Sequence, residues 1–294
     1  MKLSRSISLS SGAPSAAAPG RAPRPRRRRL GALVSALAAG LALSLSTAAA
    51  AQAAPAAGTD YVALGDSYSS GLGSGSYDSA SGDCKRSSAG YPALWAAAHA
   101  PATFNFVACS GARTGDVESS QLTALSSATD LVSITIGGND AGFSDVMTTC
   151  VLKSEATCLS GIATANSYID NTLPGALDTL YGDIRAKAPN AHVVVLGYPR
   201  FYALNGSCVV GLSEAKRSAI NNAADHINSV TAKRAADHGF TFADVTQAFT
   251  GHEICAAGTV WLHSVNVLDI EESYHPTAAG QSGGYLPVFT AAAS

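Results

Sequence analysis

The chain has 294 residues and a formal net charge of −2. Its charges are unevenly placed, because residues 1–29 hold eight basic side chains and no acidic one, which leaves 11 basic and 21 acidic residues in the rest. An acidic main part of this kind argues against nucleic acid and anionic membranes as partners.

The first fifty residues are typical of a secretory signal peptide. The basic residues precede an uncharged stretch of 22 residues from Leu30 to Ala51, and small residues follow at Ala51-Gln52-Ala53. This order predicts removal of residues 1–53. A membrane anchor is the alternative, because the stretch is long enough to span a bilayer, and the Arg run before Leu30 also fits a twin-arginine signal. We expect secretion without stable membrane insertion, and one domain at residues 54–294.

Five short apolar runs in the remaining chain predict five strands. These runs are Tyr61 to Leu64, Phe104 to Ala108, Leu131 to Ile136, His192 to Leu196 and Phe240 to Ala243. Because they are continuous rather than alternating, and rich in Val, Ile and Phe, we expect strands that are buried on both faces.

Helical stretches lie between the strands. They are Tyr91 to Ala100, Asn166 to Ala188 and Ser213 to His238, and Thr277 to Thr290 could form a closing helix interrupted by Gly283-Gly284 and Pro287. Strands that alternate with helices predict right-handed crossovers and a parallel sheet covered on both faces. In such α/β folds the functional residues collect at the carboxyl ends of the strands.

All six cysteines follow the predicted leader. An even number in an exported chain favours disulfides, and six cysteines allow fifteen connectivities. Sequential pairing is our prediction, with Cys84 bound to Cys109, Cys150 to Cys158 and Cys208 to Cys255. A metal site is the alternative, but no Cys-x-x-Cys pair and no histidine at ligand spacing accompanies them. We expect no metal and no cofactor.

Polar segments follow the first three predicted strands. Ser67 lies in Gly65-Asp66-Ser67-Tyr68, Gly111 in Cys109-Ser110-Gly111-Ala112, and Asn139 in Gly137-Gly138-Asn139-Asp140. His275-Pro276 lies near the C-terminus. Acyl transfer needs a nucleophile, a base and donors to the oxygen that becomes negative.

These residues suit those roles, with Ser67 as nucleophile and His275 as base. The predicted oxyanion donors are the backbone N–H groups of Ser67 and Gly111 and the side-chain amide of Asn139, with Gly115 as the alternative glycine. Asp66 and Asp140 are predicted to be structural, since aspartate stabilises turns by accepting backbone N–H bonds.

The four separated blocks resemble those of the SGNH, or GDSL, hydrolases, whose named residues are Ser, Gly, Asn and His. Ser67, Gly111, Asn139 and His275 match them in order across the chain after residue 53. The six cysteines and the Gly-Asp-Ser-Tyr-Ser-Ser-Gly opening are most similar to secreted lipases and esterases of actinomycetes. The resemblance implies a flavodoxin-like three-layer α/β/α sandwich with a five-stranded parallel sheet, and hydrolysis of carboxylic esters.

The residue that orients His275 departs from the family pattern. The family usually places Asp three residues before the histidine, where it supports the imidazolium. This chain has Glu272 there, one methylene longer, with Glu271 beside it. The resemblance also offers a backbone carbonyl in place of the acid. We therefore predict the carbonyl of Ser273 as the orienting group, and Glu272 or Glu271 is the alternative.

Fatty-acyl esters such as acylglycerols are the expected substrates of a monomeric enzyme. The chain lacks Gly-x-Ser-x-Gly, since Ser69 follows Ser67 by two positions, so a lidded α/β-hydrolase is not implied. Six residues near the strand ends could line an acyl groove: Tyr68, Leu72, Phe143, Tyr198, Phe201 and Tyr202. The alternatives are a carbohydrate acetyl esterase, a phospholipase or acyltransferase with the same site, and a catalytically silent binding protein.

Overall fold

The computed structural model describes residues 58–208, 211–266 and 268–294. The predicted leader at residues 1–53 lies outside them and stays a prediction. Five strands form one parallel sheet in the order β2-β1-β3-β4-β5. The strands are β1 (Asp60–Ala63), β2 (Thr103–Phe106), β3 (Leu131–Ile134), β4 (His192–Leu196) and β5 (Thr241–Ala243). This order is that of flavodoxin-like folds.

Helices cover both faces of the sheet. The α-helices are α1 (Ser67–Ser70), α2 (Tyr91–His99), α3 (Thr114–Asp116), α4 (Phe143–Leu152), α5 (Glu155–Asn171), α6 (Leu173–Lys187), α7 (Glu214–Asp237), α8 (Thr246–Phe249) and α9 (Leu286–Ala292). One group consists of α2 and α9, and the other of α4 to α7, whose members pack on each other. The expected three-layer α/β/α sandwich is thereby confirmed.

Two details of the predicted elements are wrong. The stretch from Asn166 to Ala188 is not one helix, because Pro174 lies in the first turn of α6 and starts a new helix after Thr172. Strand β2 is not buried on both faces, since it lies at the sheet edge and alternates between exposed and half-buried residues. An edge strand has a neighbour on one side only, so half of its surface stays near solvent.

The three disulfides join cysteines that are consecutive in the sequence. Cys84 is bound to Cys109, Cys150 to Cys158 and Cys208 to Cys255. The first bridge connects the segment after α1 to the segment after β2, so that two loops at the carboxyl edge of the sheet are covalently linked. The second joins the end of α4 to the start of α5.

Candidate active site

Ser67 lies in a tight turn between β1 and α1. Gly65 has a φ of +121°, and a Cβ there would lie 2.5 Å from the carbonyl oxygen of Thr135, so only glycine fits. Asp66 caps α1 by accepting a hydrogen bond from Tyr68 N at 3.0 Å. Ser67 is therefore the first residue of a helix at the carboxyl edge of the sheet, with 6% of its surface exposed.

The imidazole of His275 contacts the Ser67 hydroxyl directly. Nε2 of His275 lies 2.8 Å from Oγ of Ser67, and Nδ1 lies 3.1 Å from the carbonyl oxygen of Ser273. Because a carbonyl can only accept, Nδ1 carries the proton and Nε2 is left to accept the serine proton. The two atoms are thus arranged for transfer of a proton from serine to histidine.

Backbone bonds and a tyrosine hydroxyl help to hold the segment that carries His275. His263 N donates to the carbonyl of His275 and Tyr274 N donates to the carbonyl of His263, both at 2.9 Å. Tyr274 adopts a φ of +68°, which is uncommon for a residue with a side chain. Its carbonyl accepts from the Tyr68 hydroxyl at 2.9 Å, which ties this segment to the residue beside Ser67.

Neither predicted carboxylate is bonded to the imidazole. Glu272 accepts a hydrogen bond from the Tyr77 hydroxyl at 2.7 Å, and Glu271 lies 3.7 Å from Lys85 on the surface. Among the described residues, the Ser273 carbonyl is the group that accepts from Nδ1 of His275.

The predicted oxyanion donors come from three neighbouring loops. The N–H groups of Ser67 and Gly111 have no acceptor among the described residues, and Gly111 holds a φ of +79°. One amide hydrogen of Asn139 goes to the carbonyl of Ala112 at 3.0 Å, and the second has no acceptor within the described part of the chain. Cys109 N donates to the carbonyl of Gly65 at 2.9 Å. These contacts bring the Gly111 loop against both the Ser67 turn and Asn139.

Asp140 also holds the loop that follows Gly111. Its carboxylate accepts from the backbone N–H of Thr114 at 3.1 Å and from the Thr114 hydroxyl at 2.7 Å. The structural role predicted for Asp140 agrees with these bonds, because they order a loop.

A buried tyrosine links the Ser67 turn to the Asn139 loop. The Tyr198 hydroxyl donates to Asp66 Oδ2 at 2.5 Å and accepts from Gly138 N at 3.1 Å. The second oxygen of Asp66 accepts from the Thr135 hydroxyl at 2.6 Å. The sequence predicts Tyr198 only as a groove residue, although its position two residues after the end of β4 indicates that it reaches the same edge of the sheet.

Burial shifts the pKa values of two groups beside Ser67. Desolvation lowers the pKa of His275 to about 4, although the hydrogen bond that Nδ1 donates to the Ser273 carbonyl acts to raise that pKa. Desolvation also raises the pKa of Asp66 to about 6, although the Thr135 and Tyr198 hydroxyls favour its charged form. The imidazole is therefore neutral at pH 7, as a general base must be.

An apolar cavity opens beside Ser67 and Asn139. Its volume is about 70 Å³, several times the ~10–15 Å³ that one water molecule needs. Four of the six predicted groove residues line it, namely Tyr68, Phe143, Tyr198 and Phe201, whereas Leu72 and Tyr202 are buried outside it. The deeper wall, which the sequence did not reveal, comes from α4, α5 and α7 and includes Met147, Ile162, Ile169, Ile220 and Ile227.

Three-dimensional relatives share this architecture. The chain superimposes with a TM-score of 0.78 on the crystal structure of a phospholipase A1 from Streptomyces albidoflavus, which is 66% identical, covering 80% of this chain and 99% of that one. The crystal structure of an extracellular lipase from Streptomyces rimosus gives the same TM-score at 67% identity, with the same coverage.

Sequence relatives lead to the same family. Lipase 1 of Streptomyces coelicolor is 70% identical over 241 residues, which are 82% of this chain and 89% of that protein. A family model for the GDSL-like lipases and acylhydrolases matches residues 63–282. The chain, with its serine and histidine in contact at the carboxyl edge of a parallel sheet, therefore belongs to the GDSL-like lipase/acylhydrolase family and is a carboxylic ester hydrolase.

Proposed function

We propose that this hydrolase is a secreted lipase that cleaves fatty-acyl esters through an acyl-enzyme on Ser67, with His275 as the base. The observation that carries the proposal is the 2.8 Å contact between Nε2 of His275 and Oγ of Ser67 beside an apolar cavity. The Ser273 carbonyl orients the imidazole, so that a dyad acts without a carboxylate.

The reaction proceeds in two halves. Nε2 of His275 takes the proton of Ser67 while Oγ attacks the ester carbonyl, and the resulting oxyanion accepts hydrogen bonds from the Ser67 and Gly111 N–H groups and from Asn139. The imidazolium then gives its proton to the departing alkoxide, which leaves as the alcohol. In the second half His275 deprotonates water, which attacks the acyl-enzyme and releases the fatty acid and the free Ser67 hydroxyl.

The cavity supports an acyl chain as the group that is recognised. Its walls are almost wholly apolar, so burial of methylene groups contributes roughly 0.8 kcal/mol each. Phospholipids are a second candidate class, because a solved relative at 66% identity is described as a phospholipase A1.

Export is part of this proposal. The predicted leader at residues 1–53 and three disulfides suit an oxidising compartment. A solved relative from Streptomyces rimosus is described as extracellular. None of the helices described in residues 58–208, 211–266 and 268–294 is long and apolar enough to cross a bilayer.

Hydrolysis of p-nitrophenyl esters from acetyl to palmitoyl tests the function. We expect turnover of medium or long acyl chains, and its abolition by Ser67→Ala. Turnover of the acetyl ester alone would instead indicate a deacetylase, and absence of turnover with every ester would indicate a binding protein. Phosphatidylcholine, assayed for released fatty acid, decides whether the second substrate class is used.

A further inference from the structure

Two aliphatic side chains project into solvent close to His275 in sequence. Leu268 is 95% exposed, the highest value among the large apolar side chains that the structure describes, and Ile270 is 66% exposed. Both lie in the short segment 268–272, which ends directly before Ser273. The segment that presents these side chains therefore leads straight to the residue that orients the imidazole.

Hydrogen bonds hold this segment in its exposed position. The side-chain oxygen of Asn266 accepts from Leu268 N at 3.1 Å, and Asn266 N donates to the hydroxyl of Ser273 at 2.9 Å. Ser273 N donates to the carbonyl of Ile270 at 3.2 Å. Leu268 and Ile270 are thus presented by an ordered turn rather than by a free end of the chain.

The exposed patch formed by Leu268 and Ile270 is too small for a stable protein interface. A stable protein interface buries roughly 800 Å² on each partner, and two aliphatic side chains supply only a small part of that area. A lipid surface, by contrast, accepts single aliphatic side chains because it has no fixed shape to match.

The acidic residues of segment 268–272 indicate the headgroup charge of the lipid. Asp269 lies between the two apolar residues, and Glu271 follows with 62% of its side chain exposed. Lys85, 3.7 Å from Glu271, is the cation that the structure places beside them. Anionic headgroups would be repelled, whereas neutral or zwitterionic ones would not.

We propose that Leu268 and Ile270 dock the enzyme on neutral or zwitterionic lipid surfaces by inserting between the lipid molecules. This inference rests on the proposed function, since lipase substrates are aggregated in such surfaces. Docking brings the loop next to His275 into contact with the lipid and leaves the chemistry at Ser67 unchanged. Its loss therefore slows turnover of lipid aggregates but not of dissolved esters.

Binding to vesicles tests the proposal without catalysis. The Ser67→Ala protein is mixed with phosphatidylcholine vesicles and sedimented, with and without the further substitutions Leu268→Ser and Ile270→Ser. We expect these two changes to lower the partition coefficient at least tenfold, because full burial of each aliphatic side chain contributes about one order of magnitude. Leu152→Ser, at another leucine that is 70% exposed, is the matched control and should leave partitioning within about twofold.

Activity assays on the enzyme with Ser67 intact complete the test. The double variant should hydrolyse dissolved p-nitrophenyl butyrate within about twofold of the parent rate and phosphatidylcholine vesicles at least tenfold more slowly. Addition of phosphatidylglycerol to the vesicles should lower the binding of the parent protein.

Four outcomes would overturn the docking proposal. They are unchanged vesicle binding by the double variant, an equal loss in Leu152→Ser, an equal loss of dissolved-ester turnover, and a dimer of the parent protein that the double variant abolishes, which would assign the patch to a protein interface. Failure of the proposed function has a different signature, because it would appear in the parent enzyme as turnover of no ester or of the acetyl ester alone, or as ester turnover that persists in Ser67→Ala.

Discussion

The two halves of the proposed dyad are supported in different ways. The Ser67 turn is bonded into the core by side chains, since Gln121 exchanges two hydrogen bonds with the backbone of Gly65 and Asp66 is bonded to Thr135 and Tyr198. The His275 segment is held by backbone bonds, by the Tyr68 and Tyr202 hydroxyls and by His263, and its outer part at 268–272 faces solvent. Changes near Ser67 should therefore alter stability together with activity, whereas changes near His275 should alter activity far more than stability.

Removal of the base is expected to have the largest effect. His275→Ala should lower kcat on the order of 10⁶-fold, the size of loss found when a serine hydrolase loses its histidine. The free energy of unfolding should change by no more than about 1–2 kcal/mol, because few hydrogen bonds are lost. Urea denaturation measures the free energy of unfolding, and ester hydrolysis measures kcat. A large loss of stability together with the loss of kcat would contradict the difference between the Ser67 turn and the His275 segment.

The pH profile of kcat/KM depends on what supports the imidazole. Burial lowers the pKa of His275 to about 4, so kcat/KM should be flat above about pH 5 and fall tenfold per unit below pH 4. A bonded carboxylate would favour the imidazolium and raise that pKa. At pH 5 a histidine with a pKa near 7 would be about 100-fold less active than at its plateau, by the same relation. A decline that begins near pH 7 would therefore contradict the carbonyl-supported dyad.

Stability should respond to pH with opposite signs at the two halves. The lowered pKa of His275 means that between pH 6.5 and 4 the unfolded chain binds a proton that the folded chain does not, so stability falls as pH falls. The raised pKa of Asp66 means that between pH 6 and 3.8 the folded chain binds the extra proton, so stability rises as pH falls.

The variant Asp66→Asn isolates the contribution of the Asp66 carboxyl to the pH dependence of stability. When the pH is lowered from 6 to 4, the parent gains stability by protonating Asp66 and the variant does not. The unfolding free energy of the variant should therefore fall further than that of the parent, by up to about 3 kcal/mol for a pKa shift of roughly two units. Urea denaturation at both pH values measures the difference. Equal pH dependence in the two proteins would show that the Asp66 carboxyl does not titrate as its burial implies.

Tyr198 connects the Ser67 turn to the Asn139 loop, so Tyr198→Phe should affect both folding and turnover. We expect about a tenfold loss of kcat with little change in KM, and a loss of about 1–2 kcal/mol in stability from the unpaired Asp66 oxygen and Gly138 N–H. Tyr181→Phe is the matched control, because that hydroxyl is buried without a partner among the described residues. An equal loss in both variants would mean that Tyr198 acts through packing rather than through its hydroxyl.

The sequence predicts the strands and the edge of the sheet at which the site residues lie. Each predicted strand is present within two residues of its predicted ends. The central strands β1, β3 and β4 are largely buried, and their apolar runs have the pattern of buried parallel strands. The predicted positions of Ser67, Gly111 and Asn139 at one edge follow from the parallel order of β1, β2 and β3.

Other features of the site depend on contacts between residues that are far apart in the chain. Tyr198 reaches Asp66 across 132 positions, which no local pattern encodes. Helix α4 and the start of α5 were missed because the segment from Phe143 onward is rich in Thr, Ser and Cys, which are weak helix formers. Whether Glu272 or a carbonyl faces His275 was left open by spacing alone, since it depends on the Tyr77 hydroxyl that binds this glutamate.

The most direct test of the central claim is kcat/KM of Glu272→Gln, the smallest effect expected here. The amide keeps an oxygen that can accept from Tyr77, so only the charge is removed. If the Ser273 carbonyl orients His275, kcat/KM should stay within about threefold of the parent enzyme. A loss near 10⁴-fold, the size found when a triad aspartate becomes asparagine, would contradict the dyad.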